Sequence, residues 1–302
     1  MTRRVDVPVA GGSLAVFELS GGGEPVLAVH GITGNSHAWL AVARALDGRA
    51  SLHALDLRGR GGSSDLPPPY GMAAYAADIL AVLDHLGLER AVLVGHSLGA
   101  YVVARLAADH PSRVSAAVLV DGGLTLPEIE EVADPRAFLQ AFLGPALARL
   151  ELTFPDPEAY YAWWRAHPAF SGADIADADL VAYANHDLGG DPPELHSVVA
   201  KQAVRADAGE LFEMGKPAHR LGVPVEMLRA PRGLQNQPEP MIPAALAVAW
   251  ASEDSERRLV SEVPDVNHYT IAMGAAGAGA VAQAIVRALQ SPLSDPGLRS
   301  AR

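Results

Sequence analysis

The sequence predicts an α/β fold, in which a mostly parallel central sheet carries helices on both faces and holds an inserted helical cap. Short apolar, β-branched runs alternate with helical patterns up to residue 123 and again from residue 220, which is typical of a parallel sheet. Residues 124–219 between them show helical patterns and no convincing strand. We therefore expect a core of residues 1–123 and 220–290, a helical cap over 124–219, and a flexible tail over 291–302.

Each predicted strand is a short apolar run bounded by glycine, proline or polar residues, and the first two are joined as a hairpin through Gly11-Gly12. The predicted strands cover 3–9, 13–19, 25–29, 51–57, 91–94, 114–120, 223–228 and 258–263. Each predicted helix is a longer segment with helical apolar spacing. The predicted helices cover 36–47, 72–87, 100–108, 135–150, 157–167, 174–187, 194–208, 241–252 and 275–290.

Composition excludes several classes of function. Hydrophobic residues make up 49% of the 302 residues, which is enough for a sizeable core, and the net charge of −12 disfavours binding to nucleic acid or to an anionic membrane. The chain has no cysteine, so disulfides and thiolate metal sites are excluded. The first residues lack the apolar segment of a secretory signal, and no apolar run reaches membrane-spanning length. We expect a cytoplasmic protein without nucleic-acid or membrane partners; the oligomeric state stays open.

The strongest motif is Gly-His-Ser-Leu-Gly at residues 95–99, which lies between the predicted strand 91–94 and the predicted helix 100–108. A Gly-x-Ser-x-Gly motif between a strand and a helix is typical of a nucleophile elbow, where a strained turn exposes the serine hydroxyl. The flanking glycines leave room for neighbouring backbone. The pattern predicts Ser97 as a nucleophile.

Four further motifs occur in a matching order along nearly the whole chain. They are His30-Gly31 after the third strand, Asp56-x-Arg58-Gly59-x-Gly61-x-Ser63 after the fourth, His110-Pro111-x-Arg113-Val114 after the elbow helix, and His268 late in the chain. With the elbow, they make the chain resemble the α/β-hydrolase fold family, in its capped serine hydrolase branch. The resemblance specifies the fold but not the substrate.

The resemblance implies a base and an acid for Ser97. His268 follows the last strand, where the family places the histidine that takes the serine proton. Many family members carry the acid after the penultimate strand, but residues 227–237 contain no carboxylate. A second position in the fold is the end of the strand after the elbow helix, which here is Asp121. We predict Asp121 as the acid, with Asn236 as the alternative group that orients the ring.

The fold also implies an oxyanion hole built from backbone N–H groups. The predicted donors are Leu98, which follows the nucleophile, and Ile32, which follows His30-Gly31. Thr33 is a further candidate through its hydroxyl. We expect His30 to shape this loop rather than to transfer protons, and His96 to pack or hydrogen-bond away from Ser97.

The predicted cap is rich in aromatic residues, which include Phe138, Phe142, Tyr161, Trp163 and Trp164. Most should form the core of the cap, but some should reach the cleft and make it mainly apolar. The candidate substrate-binding residues are His37, Thr33, Tyr161, Trp163 and Trp164.

The leading hypothesis is a serine hydrolase that cleaves a small or medium hydrophobic ester or lactone through an acyl-enzyme, without a metal or other cofactor. Thioester, amide and carbon–carbon bond cleavage use similar machinery, so a C–C hydrolase or lyase stays open. A slow-turnover ligand-binding protein or receptor with this fold is the alternative from another class. The sequence has no His-Glu-x-x-His motif, which disfavours a metal hydrolase.

Overall fold

A computed structural model describes residues 2–125, 144 and 147–290. The strands are β1 (Arg3–Val9), β2 (Gly12–Ser20), β3 (Glu24–Val29), β4 (Ala50–Leu55), β5 (Ala91–His96), β6 (Val114–Val120), β7 (Leu188–Gly189), β8 (His196–Ser197), β9 (Val225–Arg229) and β10 (Arg258–Glu262). The α-helices are α1 (Leu40–Leu46), α2 (Met72–His85), α3 (Leu98–Asp109), α4 (Pro157–Ala166), α5 (Asp177–His186), α6 (Lys201–Glu210), α7 (Ala244–Ser252), α8 (Thr270–Met273) and α9 (Ala275–Gln290). Short 3₁₀ helices cover Ser36–Trp39, Gly61–Ser63, Pro111–Arg113 and Lys216–Arg220.

Eight of these strands form one sheet in the order β1-β2-β4-β3-β5-β6-β9-β10. β2 is antiparallel to its neighbours β1 and β4, and every other pair is parallel. The predicted fold class is therefore confirmed. Because β3, β4, β5, β6, β9 and β10 run in one direction, their carboxyl ends lie along one edge of the sheet, where ligands bind in open α/β folds.

The sheet is buried on both faces, since each face carries its own hydrophobic cluster. One cluster packs α2, α3 and α7 against the sheet, and it includes the fully buried Leu93 and Trp250. The other packs α1 and α9 against the opposite face, around the fully buried Trp39. Burial on both faces explains why β3, β5 and β6 read as continuous apolar runs rather than as alternating ones. Within the described ranges, no helix has both the length and the apolarity needed to cross a membrane.

The predicted helix over 194–208 is partly wrong. Its first residues form β8, which pairs with β7, and Leu195 pairs with Phe154 in an isolated bridge. The α-helix begins only at Lys201. Backbone pairing with a distant segment overrides the local helical spacing here, and it also supplies strands in a region where the sequence shows none.

Part of the predicted cap lies outside the described residues. This applies to Phe138 and Phe142, to most of the predicted helix over 135–150 (of which residues 147–149 are helical), and to the tail over 291–302. Residues 147–219 form what we call the inserted segment, which contains α4, α5 and α6.

The inserted segment is bonded to the core by buried or half-buried polar contacts. The side-chain amide of Asn35 donates to the carbonyl of Tyr183 in α5 at 2.9 Å. The ring Nε2 of His186 lies 2.6 Å from a carboxylate oxygen of Asp56, which follows β4. Asp56 also accepts from the backbone N–H groups of Ser36 and Gly62. The Asp56 motif therefore organises the loops on which this segment rests.

Two glycines of α9 give a matched test of the packing beneath the His268 loop. A Cβ on Gly277 would lie 2.5 Å from backbone atoms of Ile271, whereas a Cβ on Gly279 would meet nothing within 4 Å. We expect Gly279→Ala to raise the free energy of unfolding by about 0.5–1 kcal/mol, because alanine is the better helix former. Gly277→Ala should lower it, because two backbones would have to separate. Urea unfolding of both variants checks this, and equal shifts for the pair would contradict the packing.

Candidate active site

Ser97 occupies a strained turn between β5 and α3. Its φ is 54° and its ψ is −121°, a conformation that side-chain-bearing residues rarely adopt. A Cβ on Gly95 would collide with the carbonyl of Gly99, and a Cβ on Gly99 would collide with the carbonyl of Val29. The two motif glycines therefore permit the turn, and the turn places Ser97 at the carboxyl edge of the sheet.

Asp121 follows β6 directly and is fully buried. One carboxylate oxygen accepts from the backbone N–H of Ala230 at 3.0 Å, and the other lies 2.7 Å from Nδ1 of His268. Its own N–H donates to the carbonyl of Leu228. Because a carboxylate only accepts hydrogen bonds, Nδ1 of His268 carries a proton, and Nε2 is the acceptor of the neutral ring.

The loop between β10 and α8 holds His268 through its neighbour Asn267. The Asn267 side-chain oxygen accepts from the N–H groups of Tyr269 and Thr270, and its amide donates to the carbonyl of Ala169 in the inserted segment. Only 2% of His268 is exposed. The ring is thus fixed by Asp121 at Nδ1 and by a rigid loop.

His96 holds the backbone of the same loop. Its Nε2 lies 2.7 Å from the carbonyl of His268. Burial, together with the nearby His268, lowers the pKa of His96 to about 3, so the ring is neutral at pH 7. Nε2–H of His96 therefore donates to the carbonyl of His268 and not to Ser97.

Residues 31–34 lie opposite the elbow, and we call them the oxyanion loop because the sequence predicts the Ile32 N–H as an oxyanion donor. A Cβ on Gly31 would be 3.1 Å from the Cβ of Ser97, so this glycine allows the close approach. Leu98 is the first residue of α3, where the N–H has no partner within the helix.

His30 is buried beside this loop, and burial lowers its pKa to about 4. Its Nε2 accepts from the N–H of Leu57, and its Nδ1 donates to the carbonyl of Gly31. His30 is thus engaged in shaping the loop.

These residues converge on one cavity, which we call the Ser97 cavity. Its lining is Gly31, Ile32, Thr33, Gly34, Ala38, His96, Ser97, Tyr183, Leu234, His268, Tyr269 and Met273. The wall is mainly apolar and carries no lysine, arginine or carboxylate among the described residues. Nor do those residues include a group of three histidines, aspartates or glutamates that could bind a metal ion.

Of the predicted substrate-binding residues, the structure places Thr33 on the Ser97 cavity and the other four elsewhere. His37 lines a separate cavity with His186, whose ring centroid is 4.2 Å away. Trp164 is buried in the aromatic cluster of the inserted segment, and Trp163 packs edge-on against it. Tyr161 bonds its hydroxyl to the side chain of Asn185. These aromatic residues hold the inserted segment together, because neighbouring positions of α4 point in different directions.

Several lining residues were missed by the sequence reasoning. Tyr269 follows His268 directly, so its place in the chain could have indicated it. The sequence could not distinguish Tyr183 from the other aromatic residues of the inserted segment, which pack in its core. Leu234, Met273 and Ala38 carry no signal of their own, since their place depends on how distant loops pack.

Asn236 does not contact the His268 ring in the described residues. Its side-chain oxygen accepts from Nε of Arg232 at 2.7 Å and from the amide of Asn267 at 3.3 Å. Asp121 therefore fills the position next to Nδ1, and Asn236 belongs to the neighbouring loop.

Comparison with known proteins agrees with this architecture. The family model for the alpha/beta hydrolase fold matches residues 24–159. The crystal structure of E-2-(acetamidomethylene)succinate hydrolase superposes with a TM-score of 0.78 over 96% of this chain and 99% of that chain, at 24% identity. The chain therefore has the α/β-hydrolase fold. The fold that the sequence resemblance implied is thereby confirmed.

Two curated relatives extend the comparison. RutD of Klebsiella pneumoniae (strain 342), provisionally named a carbamate hydrolase, is 42% identical over 106 residues, which are 34% of this chain and 40% of RutD. Lipase LipV of Mycobacterium tuberculosis (strain ATCC 25618 / H37Rv) is 35% identical over 162 residues, which are 53% of this chain and 59% of LipV. The chain thus matches less than two thirds of either relative.

The buried neutral His96 predicts a pH dependence of stability. Its pKa is lower in the folded chain than in the unfolded chain, so the unfolded state binds more protons, and stability falls as the pH drops from 6.5 toward 3. His96→Gln keeps a donor but does not titrate. Between pH 7 and pH 5, we expect the wild type to lose about 2 kcal/mol more than this variant in urea unfolding. Equal losses in both proteins would show that His96 is not held neutral.

Proposed function

We propose that this α/β-hydrolase is a serine hydrolase in which Ser97, His268 and Asp121 form the catalytic triad. One observation carries the proposal. Ser97 and His268 line the same cavity, and the ring of His268 is bonded through Nδ1 to the buried carboxylate of Asp121. This leaves Nε2 as the acceptor for the serine proton.

The proposed reaction is acyl transfer in two steps. The hydroxyl oxygen of Ser97 attacks the substrate carbonyl while Nε2 of His268 takes its proton, and the N–H groups of Leu98 and Ile32 stabilise the oxyanion. The imidazolium then protonates the leaving alcohol, and an acyl-enzyme forms. Water repeats the sequence: it gives its proton to His268, attacks the acyl carbon, and Ser97 leaves with the proton returned.

The chemistry of the cavity wall supports a hydrophobic substrate. Ile32, Ala38, Leu234 and Met273 supply apolar surface, and Tyr183 from the inserted segment and Tyr269 supply aromatic surface. We therefore propose a small or medium ester or lactone, with the inserted segment acting as a cap over the site. The absence of charged side chains from the described wall argues against a highly charged substrate.

The same machinery supports a second reaction class. One relative carries a provisional carbamate-hydrolase name and another is named a lipase. Both chemistries need a nucleophile, a base and an oxyanion hole, so amide and carbamate substrates belong in the same assay panel. A C–C hydrolase, or a slow ligand-binding protein, stays the alternative if no ester turns over.

The first test is hydrolysis of p-nitrophenyl esters from acetate to decanoate. We expect turnover by the wild-type chain, with a preference for an apolar acyl group, and loss of turnover in Ser97→Ala. A fluorophosphonate probe should label the wild type and leave Ser97→Ala unlabelled. A wild-type chain that neither turns over nor becomes labelled would overturn the proposed function, and turnover that survives Ser97→Ala would assign it to another group.

The role of Asp121 has a matched control. Asp121 and Asp265 both have positive φ, of 45° and 59°, and asparagine tolerates this conformation, but Asp265 is exposed. We expect Asp121→Asn to lower kcat by about 10³–10⁴-fold, because the ring of His268 loses its orienting carboxylate. Asp265→Asn should stay within about twofold of the wild type. Full activity of a folded Asp121→Asn protein would remove Asp121 from the triad.

A further inference from the structure

Three consecutive carbonyl groups of the oxyanion loop each accept a hydrogen bond from a buried side chain. The Gly31 carbonyl accepts from Nδ1 of His30 at 2.7 Å, and the Ile32 carbonyl accepts from Nε of Arg60 at 3.0 Å. The Thr33 carbonyl accepts from Nη2 of Arg149 at 3.1 Å. Among the described residues, the backbone of this loop is therefore fixed peptide by peptide.

These bonds fix the direction of the N–H groups as well. In a trans peptide, the carbonyl and the following N–H point in opposite directions. Holding the Gly31 carbonyl therefore fixes the direction of the Ile32 N–H, the proposed oxyanion donor. Holding the Ile32 carbonyl fixes the next peptide plane, between Ile32 and Thr33. An error of about 1 Å in such a donor is enough to lower a rate by about 10²-fold.

Each of the two arginines pairs with a carboxylate of the inserted segment, and Arg60 also donates to the Arg58 carbonyl and the Tyr75 hydroxyl of the core. Arg60 follows β4 in the core and pairs with Asp207 of α6, and neither side chain is exposed. Arg149 belongs to the inserted segment and pairs with Asp187, which also accepts from the hydroxyls of Tyr160 and Ser197. Burial lowers the pKa of Arg149, but the charge of Asp187 outweighs this and keeps the pKa above its usual value.

A third buried pair provides a comparison within the same fold. Arg58 and Asp78 form a two-pronged ion pair at 2.6 and 2.7 Å, with side chains 2% and 3% exposed. Arg149 and Asp187 are 1% and 3% exposed. In the described residues, Arg58 bonds to carbonyls of Ala10, Pro67 and Pro69 and makes no hydrogen bond to the oxyanion loop.

We propose that Arg60 and Arg149 are positioning residues that hold the oxyanion loop and make its geometry depend on the docked inserted segment. The Asp207 and Asp187 carboxylates fix the two guanidinium groups, and these groups fix the Ile32 and Thr33 carbonyls. The inference rests on the proposed function, because it gives this loop its role in stabilising the transition state.

The test compares two double variants that each remove both charges of one buried pair. Arg149→Gln/Asp187→Asn removes the pair that holds Thr33, and Arg58→Gln/Asp78→Asn removes the comparison pair. Removing both partners avoids leaving a buried unpaired charge, which by itself would be strongly destabilising. Thermal unfolding shows whether the two variants are folded and similarly destabilised.

Activity on a p-nitrophenyl ester gives the first readout. We expect the Arg149/Asp187 variant to lose about 10–100-fold in kcat with KM within about twofold, because the oxyanion forms only after substrate binding. The Arg58/Asp78 variant should keep kcat within about twofold at a similar loss in Tm. Equal kcat in the two variants would overturn the inference, because it would show that both pairs contribute only to the stability of the fold.

Hydrogen exchange over residues 28–39 gives a second readout that needs no turnover. The N–H of Gly34 donates to the carbonyl of Gly31 at 3.0 Å and closes the loop. We expect faster exchange of this segment in the Arg149/Asp187 variant only, and unchanged exchange would overturn the inference even if activity fell. Failure of the proposed function appears separately, as a wild-type chain that the fluorophosphonate probe does not label.

Discussion

The candidate site depends on the backbone turn at Ser97. Its positive φ brings the start of α3 against the end of β3, and each point of contact is a glycine. Besides the two motif glycines, Gly31 lies beside the Ser97 side chain, and a Cβ on Gly122 would be 2.5 Å from the Ser97 carbonyl. The turn therefore costs strain and removes side chains from four neighbouring positions. In return, it presents one hydroxyl to a cavity at the edge of a rigid sheet.

The sheet explains why much of this could be predicted from the sequence. The order of strands and helices follows from local apolar patterns, and parallel connections leave few alternatives for how they assemble. Once the strands are parallel, the residues after β5, β6 and β10 must lie at one edge. Ser97, Asp121 and His268 are brought together for this reason, although they are far apart in the chain; their catalytic roles stay a prediction.

The side chains of the cavity wall could not be predicted in the same way. A tyrosine or tryptophan in α4 has the same local sequence signal whether it faces the cleft or the centre of the inserted segment. The difference is decided by the rotation of the helix as it packs, and the described lining of the Ser97 cavity includes neither Trp163 nor Trp164. His37 likewise lies outside the described lining of the Ser97 cavity, since its ring packs against His186 and Phe17. The positions of backbone N–H groups such as those of Ile32 and Leu98 depend less on side-chain packing, since they follow from the fold alone.

Placing the acidic partner of His268 at the end of β6 has a consequence for how this protein can diversify. The segment of residues 230–243 between β9 and α7 does not supply that acid, and it contributes Leu234 to the cavity wall. In the described residues, the Ala230 N–H bonds to Asp121, and Asn236 and Arg232 contact Asn267 beside His268. Sequence change elsewhere in this connection, as at Leu234, can therefore reshape the cleft while the proposed catalytic groups at the sheet edge stay in place. Under the proposed function, change of substrate preference and preservation of the chemistry therefore depend on different parts of the chain.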